Sequence, residues 1–434
     1  MAKLAIHGGS KINPAGYTVW PYVTEKDREY INNVLDSGTL WGAYAPQVKA
    51  LQNEWKDYVG TKYCIASNSG TSALHMAVAA AGIGPGDEVI TTAYTFVASA
   101  LAVLQQNAVP VFADIDPKTY NIDPKDIERK ITPRTKAIIP VHLHGLPCDM
   151  DAINAIAKKH NLIVIEDACQ AHGAKYHGRN AGTLADMAAF SLNSTKNLPG
   201  VDGGLFNTDS EEFFLKARQL RDLGEVAEEG IERDYNAFGV GWQYRYTEFS
   251  AAFTRSHLTT LDAENKIRVA NANYLTEKLA AYKGIITPYV PEGVDSVFYL
   301  YRLRLDPKAL GIDMDPNTFR AKVQMAIRAE GLEANRWQNR PVPMQALFQD
   351  KMGYGKGCPW SCPYGKGMEV IYREEDYPVT NQVAADSFVL LNTIFPPYGK
   401  EMGDTFINCI DKLWNNMDEV LKIEVDPTSI YMRK

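Results

Sequence analysis

The sequence predicts an α/β protein: a mostly parallel sheet covered by helices on both faces, followed by a smaller α+β unit. Three observations carry that expectation. From about Lys62 to Asn207 short apolar runs alternate with longer helical periods, the pattern of strands joined by crossover helices. Beyond Gly204 the periodicity lengthens into a helical pattern from Arg245 to Lys283, long enough to reach from one unit into another. The chain has 434 residues, 45% of them hydrophobic and 22% charged, which suits a large core accompanied by a second, smaller one.

Taken in order, the first strand is Tyr63 to Ala66, and Ser72 to Ala81 is the first helix. Between them Asn68-Ser69-Gly70-Thr71-Ser72-Ala73 can present backbone N–H groups and hydroxyls at a helix N-terminus, where the dipole favours an anion. A plain N-cap at Ser69 or Thr71 accounts for the same residues, and the stretch is neither a Walker loop nor a dinucleotide fingerprint. Strand and helix then alternate: Glu88 to Thr91, Ala98 to Gln106, Val109 to Ala113, Pro124 to Lys130, Ala137 to Val141, Met150 to His160 and Leu162 to Ile165. In such sheets ligands collect at the carboxyl ends of the strands. The remainder reads as strand Val297 to Leu305, helix Pro316 to Glu330, an apolar run Val389 to Ile394 and a final helix Met402 to Ile423. The expected division is a large domain over 1–265 and a small C-terminal domain over 266–434. Trp337 to Tyr377, rich in Pro, Gly, Trp and Tyr, reads as a long ordered loop or lid.

Composition narrows the function classes. A formal net charge of -7 with scattered basic residues offers no footprint for nucleic acid. Met1 to Gly16 lacks an apolar core of signal-peptide length and no stretch approaches a membrane helix, so a cytosolic location and no membrane partner are expected. Six cysteines are too sparse for a disulfide framework. Cys358 and Cys362 have no second pair to complete a metal site. His142 and His144 would fall on one side of a strand with no nearby carboxylate to complete a ligand set, so no metal is expected.

Two residues stand out chemically. Lys196 lies in Phe190-Ser191-Leu192-Asn193-Ser194-Thr195-Lys196-Asn197-Leu198-Pro199-Gly200-Val201-Asp202-Gly203-Gly204, a polar, glycine-bearing stretch that is not an amphipathic helix. Asp167 follows the apolar run Leu162 to Ile165, where a buried strand delivers an acid to a pocket. A reactive amine and a buried carboxylate from different strand ends are what pyridoxal phosphate chemistry requires. The bland readings are a solvated surface lysine and a helix-capping Asp.

With these in hand, the chain resembles the DegT/DnrJ/EryC1/StrS family of pyridoxal-phosphate aminotransferases acting on sugars and cyclitols. The resemblance is carried by Ser69-Gly70-Thr71-Ser72-Ala73-Leu74, Gly84 to Ile90, Tyr94-Thr95-Phe96, Pro110 to Ile115, Pro140 to Gly145, Glu166 to Gly173, and Phe190-Ser191 with Lys196 and Gly203-Gly204. It implies a fold-type I architecture, a large αβα sandwich with a smaller C-terminal α+β domain. It also implies the cofactor pyridoxal 5'-phosphate, a cytoplasmic homodimer with shared active sites, and specific roles. Lys196 would carry the internal aldimine and later act as the proton-moving base; Asp167 would pair with the pyridinium nitrogen. Phe96 would stack on the ring, Gln170 would lie near the ring hydroxyl, and Gly70, Thr71 and Ser191 would hold the phosphate. Where the family usually has an Asn reaching across from the neighbouring subunit, this chain reads Gly241-Trp242-Gln243-Tyr244-Arg245, so Gln243 would serve there with a longer side chain. The segment Asn197 to Gly204 departs from the common Thr-Gly-Glu-Gly-Gly ending. The elaborated Trp337 to Tyr377 region is more like members acting on cyclitol ketones or making aminohydroxybenzoate.

The resemblance implies ping-pong transfer of an amino group from glutamate or glutamine to a keto sugar or cyclitol ketone. Trp337, Trp360 and Tyr364 are expected as apolar walls for the ring, and Arg336 and Arg340 as the local basic groups. A second reading is a lyase or dehydratase on the same fold; family dehydratases replace the lysine with histidine, so Lys196 favours transamination. The third is a regulator that kept the fold without the chemistry, against which Lys196, Asp167 and Gln170 together count.

Overall fold

A computed structural model describes residues 3–18, 20–41, 45–226, 232, 234–365 and 370–425. Its strands, in chain order, are β1 (Tyr63–Ser67), β2 (Glu88–Thr92), β3 (Val109–Ala113), β4 (Thr135–Ile139), β5 (Ile163–Asp167), β6 (Lys175–Tyr176), β7 (Arg179–Asn180), β8 (Met187–Ser191), β9 (Gly204–Thr208), β10 (Ile285–Ile286), β11 (Val294–Asp295), β12 (Tyr301–Leu305) and β13 (Ser387–Leu390). Seven of them form the central sheet in the order β1-β9-β8-β5-β4-β2-β3. β9 runs antiparallel to both its neighbours and the other pairings are parallel. β2 and β3 are buried at every position, as strands covered on both faces must be.

The helix Gly70–Ala80 shows how composition sets position. Its buried residues include Ser72, Ala73, His75, Met76, Ala77 and Val78, so it is enclosed nearly all round rather than presenting one apolar stripe. Ser69 caps it by accepting from the Ser72 amide. Glycine is required at its first position: a Cβ on Gly70 would stand 2.8 Å from the Cβ of Ser191, so the helix start is pressed against the end of β8.

The single helical period expected from Arg245 to Lys283 is two helices, Glu248–Leu258 and Leu261–Leu279. The second spans two cores. Leu261 packs with the β8 and β9 residues Phe190 and Leu205, whereas Ala272, Leu275 and Leu279 pack with Tyr301, Leu303 and Phe388 around the small sheet β10-β12-β13. Leu4 joins that second core, and Glu330 accepts hydrogen bonds from the Ala5 and Ile12 amides. The expected last helix is also divided, into Lys400–Trp414 and Met417–Leu421. No helix among the described residues is long and apolar enough to cross a membrane.

The aromatic segment after Trp337 is largely core rather than lid. Val342, Phe348, Trp360, Tyr372 and Tyr377 pack with Ala100, Leu104, Val109 and Phe112 beside the β3 edge. Trp360 is only 7% exposed, and Tyr364, 81% exposed, lies by Gly86. Neither is a cavity wall, contrary to expectation; the apolar edge helix and strand offered a surface that the segment covers.

Candidate functional site

A cavity of about 540 Å³ opens where the central strands end. Its lining follows β1 (Ser69, Gly70, Thr71), β2 (Thr95, Phe96), β5 (Asp167, Cys169, Gln170) and β8 (Ser191, Asn193, Thr195, Lys196), with Asp202 and Gly203 before β9. The connections leaving four strands, including the loop that joins the antiparallel neighbours β8 and β9, therefore converge at one end of the sheet, the position that open α/β sheets reserve for ligands. Seven of the eight expected site residues meet there: Gly70, Thr71, Phe96, Asp167, Gln170, Ser191 and Lys196. Gln243 lies outside the cavity of this chain, exposed in a β-bridge with Asp222.

The two acids that end β5 have opposite fates because successive strand residues point to opposite faces. Glu166 is closed by protein: it accepts from the Gly182 and Leu184 amides at 2.7 Å each, and His142 Nε2 stands 2.9 Å away. A carboxylate does therefore approach His142, unlike the sequence expectation. Asp167 faces the cavity at 4% exposure, accepting from Ser99 Oγ at 2.7 Å and from the Cys169 amide at 3.2 Å. Those two donors fix the orientation of the carboxylate. Burial, then Asp167, pushes the Cys169 thiol well above the usual range, which keeps it from acting as a thiolate nucleophile.

Lys196 sits in the loop between β8 and β9. Its carbonyl accepts from Trp20 Nε1 at 3.2 Å, and its Nζ lies 4.1 Å from the ring centroid of Tyr299. A cation over an aromatic face is held without losing its freedom to swing. Tyr299 Oη is 3.0 Å from Thr195 Oγ1, so the ring is anchored to the same loop. The loop rim is polar, with Asn193 Nδ2 donating to Asp202 Oδ1 at 2.9 Å. Burial, and after it the Lys196 charge, lowers the neighbouring His172 to about 3, so that imidazole is neutral.

Phe96 is 56% exposed although it follows a fully buried strand. A large aromatic left open inside a polar cavity presents a ring face to a planar ligand. Opposite in character, the amides of Gly70 and Thr71 begin a helix and have no intrahelical acceptor, and with the Thr71 and Ser191 hydroxyls they suit an anion.

Two groups at the site escaped the sequence. Tyr299, which lines the cavity, precedes a strand in an aromatic run, and Ser99, which holds Asp167 from behind the lining, stands in the first turn of the helix Ala98–Gln105, 3.1 Å from Thr95 Oγ1. Trp337 and Gln338 line the cavity, while Arg336 and Arg340 do not. His144 is not on a strand but in a turn, with φ 57°. The identity of ketone and donor also depends on the loop Trp41 to Tyr44, whose geometry no motif fixes; its residues 42–44 lie outside the described residues.

The sequence profile of the DegT/DnrJ/EryC1/StrS aminotransferase family matches residues 21–366. The chain is 39% identical over 311 residues to a GDP-perosamine synthase from Caulobacter vibrioides, covering 68% of this chain and 82% of that one. It is 37% identical over 314 residues to an L-glutamine:2-deoxy-scyllo-inosose aminotransferase from Streptomyces lividus, covering 70% and 74% respectively. Among solved structures, DesV of S. venezuelae in complex with a ketimine intermediate superposes with a TM-score of 0.76 at 30% identity, covering 92% of this chain and 95% of that one. The chain belongs to the DegT/DnrJ/EryC1/StrS aminotransferase family.

Proposed function

We propose that this family member uses pyridoxal 5'-phosphate to move an amino group from glutamine or glutamate to a ketone on a polyhydroxylated ring. The observation that carries this reading is the convergence of Lys196, Asp167 and an open Phe96 ring in one cavity. When bound, the cofactor supplies an aldehyde that takes up amines and a ring that accepts electrons.

The residues present fit that group. Gly70 lies too close to Ser191 for a Cβ, which holds the helix start at the end of β8, and its first-turn amides match a phosphate dianion. Asp167, fixed by Ser99 and Cys169, favours a proton on a facing ring nitrogen. Phe96 covers one face of a planar ring and excludes water. Lys196 Nζ is the base that takes the proton from the substrate carbon, and the ammonium so formed rests on Tyr299. Donor and ketone use the cavity in turn, the donor leaving as its oxo acid before the ketone enters.

A cyclitol-type ketone is favoured over a nucleotide-linked sugar. Among the described residues the charged side chains lining the cavity are Lys196, Asp167 and Asp202, with no arginine to meet a diphosphate. The hydroxyl, amide and carboxylate groups of Thr195, Asn193, Asp202 and Gln338 suit ring hydroxyls, with Trp337 as the apolar wall. Two such cavities in a homodimer, each completed by Gln243 of the other copy, form the working unit. The segment leading to Gln243 exposes Tyr235, Phe238 and Val240, large apolar side chains that a partner would cover. The two-domain division at 265 is part of the same reading, supported by the helix Leu261–Leu279 joining two cores.

The test is a half-reaction panel on the cofactor-loaded protein. Glutamine or glutamate should bleach the visible absorption of the bound cofactor, and an inosose should restore it faster than a nucleotide-linked keto sugar. Deamination, dehydration or cleavage of a substrate without prior bleaching by any donor would replace transamination with the lyase reading.

A further inference from the structure

Arg302, in the middle strand β12 of the small sheet, is 1% exposed and stands outside the cavity lining. Its neighbouring carboxylate, Asp386, is taken by Arg304 at 2.6 Å. Arg302 donates to three neutral acceptors instead: His144 Nε2 at 3.0 Å, Tyr94 Oη at 2.9 Å and Ser387 Oγ. Burying a guanidinium among neutral partners is costly. The arrangement persists beside a backbone that is itself strained, since His144 has φ 57°, a left-handed conformation that non-glycine residues hold only when their surroundings enforce it.

Both partners lead back to the cavity. With Nε2 accepting from Arg302, the His144 proton is on Nδ1, and burial and the Arg302 charge hold the ring neutral, well below the ordinary histidine range. The His144 backbone N–H donates to Gln170 Oε1 at 2.8 Å. That bond settles which way the Gln170 amide points: its oxygen is occupied, so its NH₂ is the end left to donate into the cavity. On the other side Tyr94 Oη, accepting from Arg302, donates to the Trp337 carbonyl at 3.0 Å. The Trp337 ring meets His144 edge-on, with centroids 4.7 Å apart.

We infer that Arg302 is a positioning residue that sets two walls of the cavity from behind: through the left-handed His144 it aims the Gln170 amide, and through Tyr94 it seats Trp337. This rests on the proposed cofactor reading, because the consequence of a misaimed Gln170 is read at the cofactor ring. Side chains on β12 and in the turn Leu143–Gly145 thereby couple the small sheet to the ligand end of the large one.

The experiment is a titration of the apoproteins with pyridoxal 5'-phosphate, followed by absorbance and near-UV circular dichroism, with melting temperatures measured alongside. Arg302→Met and Gln170→Ala should each weaken cofactor binding about tenfold, the worth of one good hydrogen bond, and the double variant should lose no more than either single one. Wild-type affinity in Arg302→Met, or losses that multiply in the double variant, would overturn the inference. Should Arg302→Met fail to fold, the backbone itself decides. His144→Asn, whose residue tolerates positive φ, should stay within about twofold of wild type, while His144→Val, which resists it, should lose the full factor. Equal affinity in those two variants contradicts the role assigned to His144. A wild-type protein that binds no cofactor contradicts the proposed function instead.

Discussion

Phe96 and Trp360 are both large aromatics set beside the central sheet, and a comparison of their surroundings separates the two aromatic regions of the molecule. Around Trp360 every polar end is closed by protein: Trp360 Nε1 donates to Tyr372 Oη, which donates to the Pro110 carbonyl, inside a cluster with Phe112 and Phe348. Around Phe96 the groups are held but not exhausted. Asp167 accepts two bonds and still lines the cavity, the first-turn amides of Gly70 and Thr71 lack intrahelical partners, and the Lys196 amine rests on an aromatic face. The lesson is that richness in aromatics does not distinguish a lid from a core. Closure of donors and acceptors does.

Substitutions can break that comparison. The largest effect is expected at Lys196: Lys196→Ala should lower turnover by about 10³-fold or more while melting like wild type, measured by steady-state amino transfer and calorimetry. Asp167→Asn comes next. Replacing a paired carboxylate forfeits a shift of about 1–3 pKa units on its partner, so turnover should fall by roughly 10- to 1,000-fold, with circular dichroism unchanged. Near-normal turnover in that variant would reduce Asp167 to a cap. Trp360→Ala should do the reverse, costing about 3–5 kcal/mol of stability in denaturant titrations with the turnover of the folded fraction intact.

Trp337 sharpens the contrast because it begins the aromatic segment yet lines the cavity. Trp337→Phe should raise the KM for the ketone several-fold and leave the melting temperature nearly unchanged. The smallest effect on the protomer is expected at Phe238, whose exposed ring has no core to lose. Phe238→Asp should stay within about 0.5 kcal/mol in protomer stability and, on the proposed dimer, shift sedimentation toward the monomer.

Much of this was legible in the sequence for physical reasons that differ by element. The alternation of β2, β3 and β4 with helices is a signal of burial on both faces, and continued to the run Leu162 to Ile165 it located the strand end that delivers Asp167; the strand ending in Ser191 is not among the runs it marks, and Ser191 is named by the resemblance alone. The break at Thr259 and Thr260 between two helices was not visible, because apolar spacing continues across it. Tyr299 could not be placed at Lys196 from sequence, since the two meet only through the docking of the Val297 and Tyr299 amides on the Gly145 and His144 carbonyls. Trp360 and Tyr364 were misplaced for the converse reason: an aromatic residue in a loop carries no mark of which apolar surface it will cover. Nor does local sequence reveal that Arg302 grips His144, a pairing of a small-sheet strand with the turn Leu143–Gly145 that follows β4.

The central claim is that the amine which engages the cofactor is that of Lys196. Borohydride reduction of the cofactor-loaded protein, followed by proteolysis and mass spectrometry, tests it most directly. The account predicts a single phosphopyridoxyl label, on the peptide carrying Lys196, lost in Lys196→Ala. A label on any other lysine, or a loaded protein that takes no label at all, would contradict it.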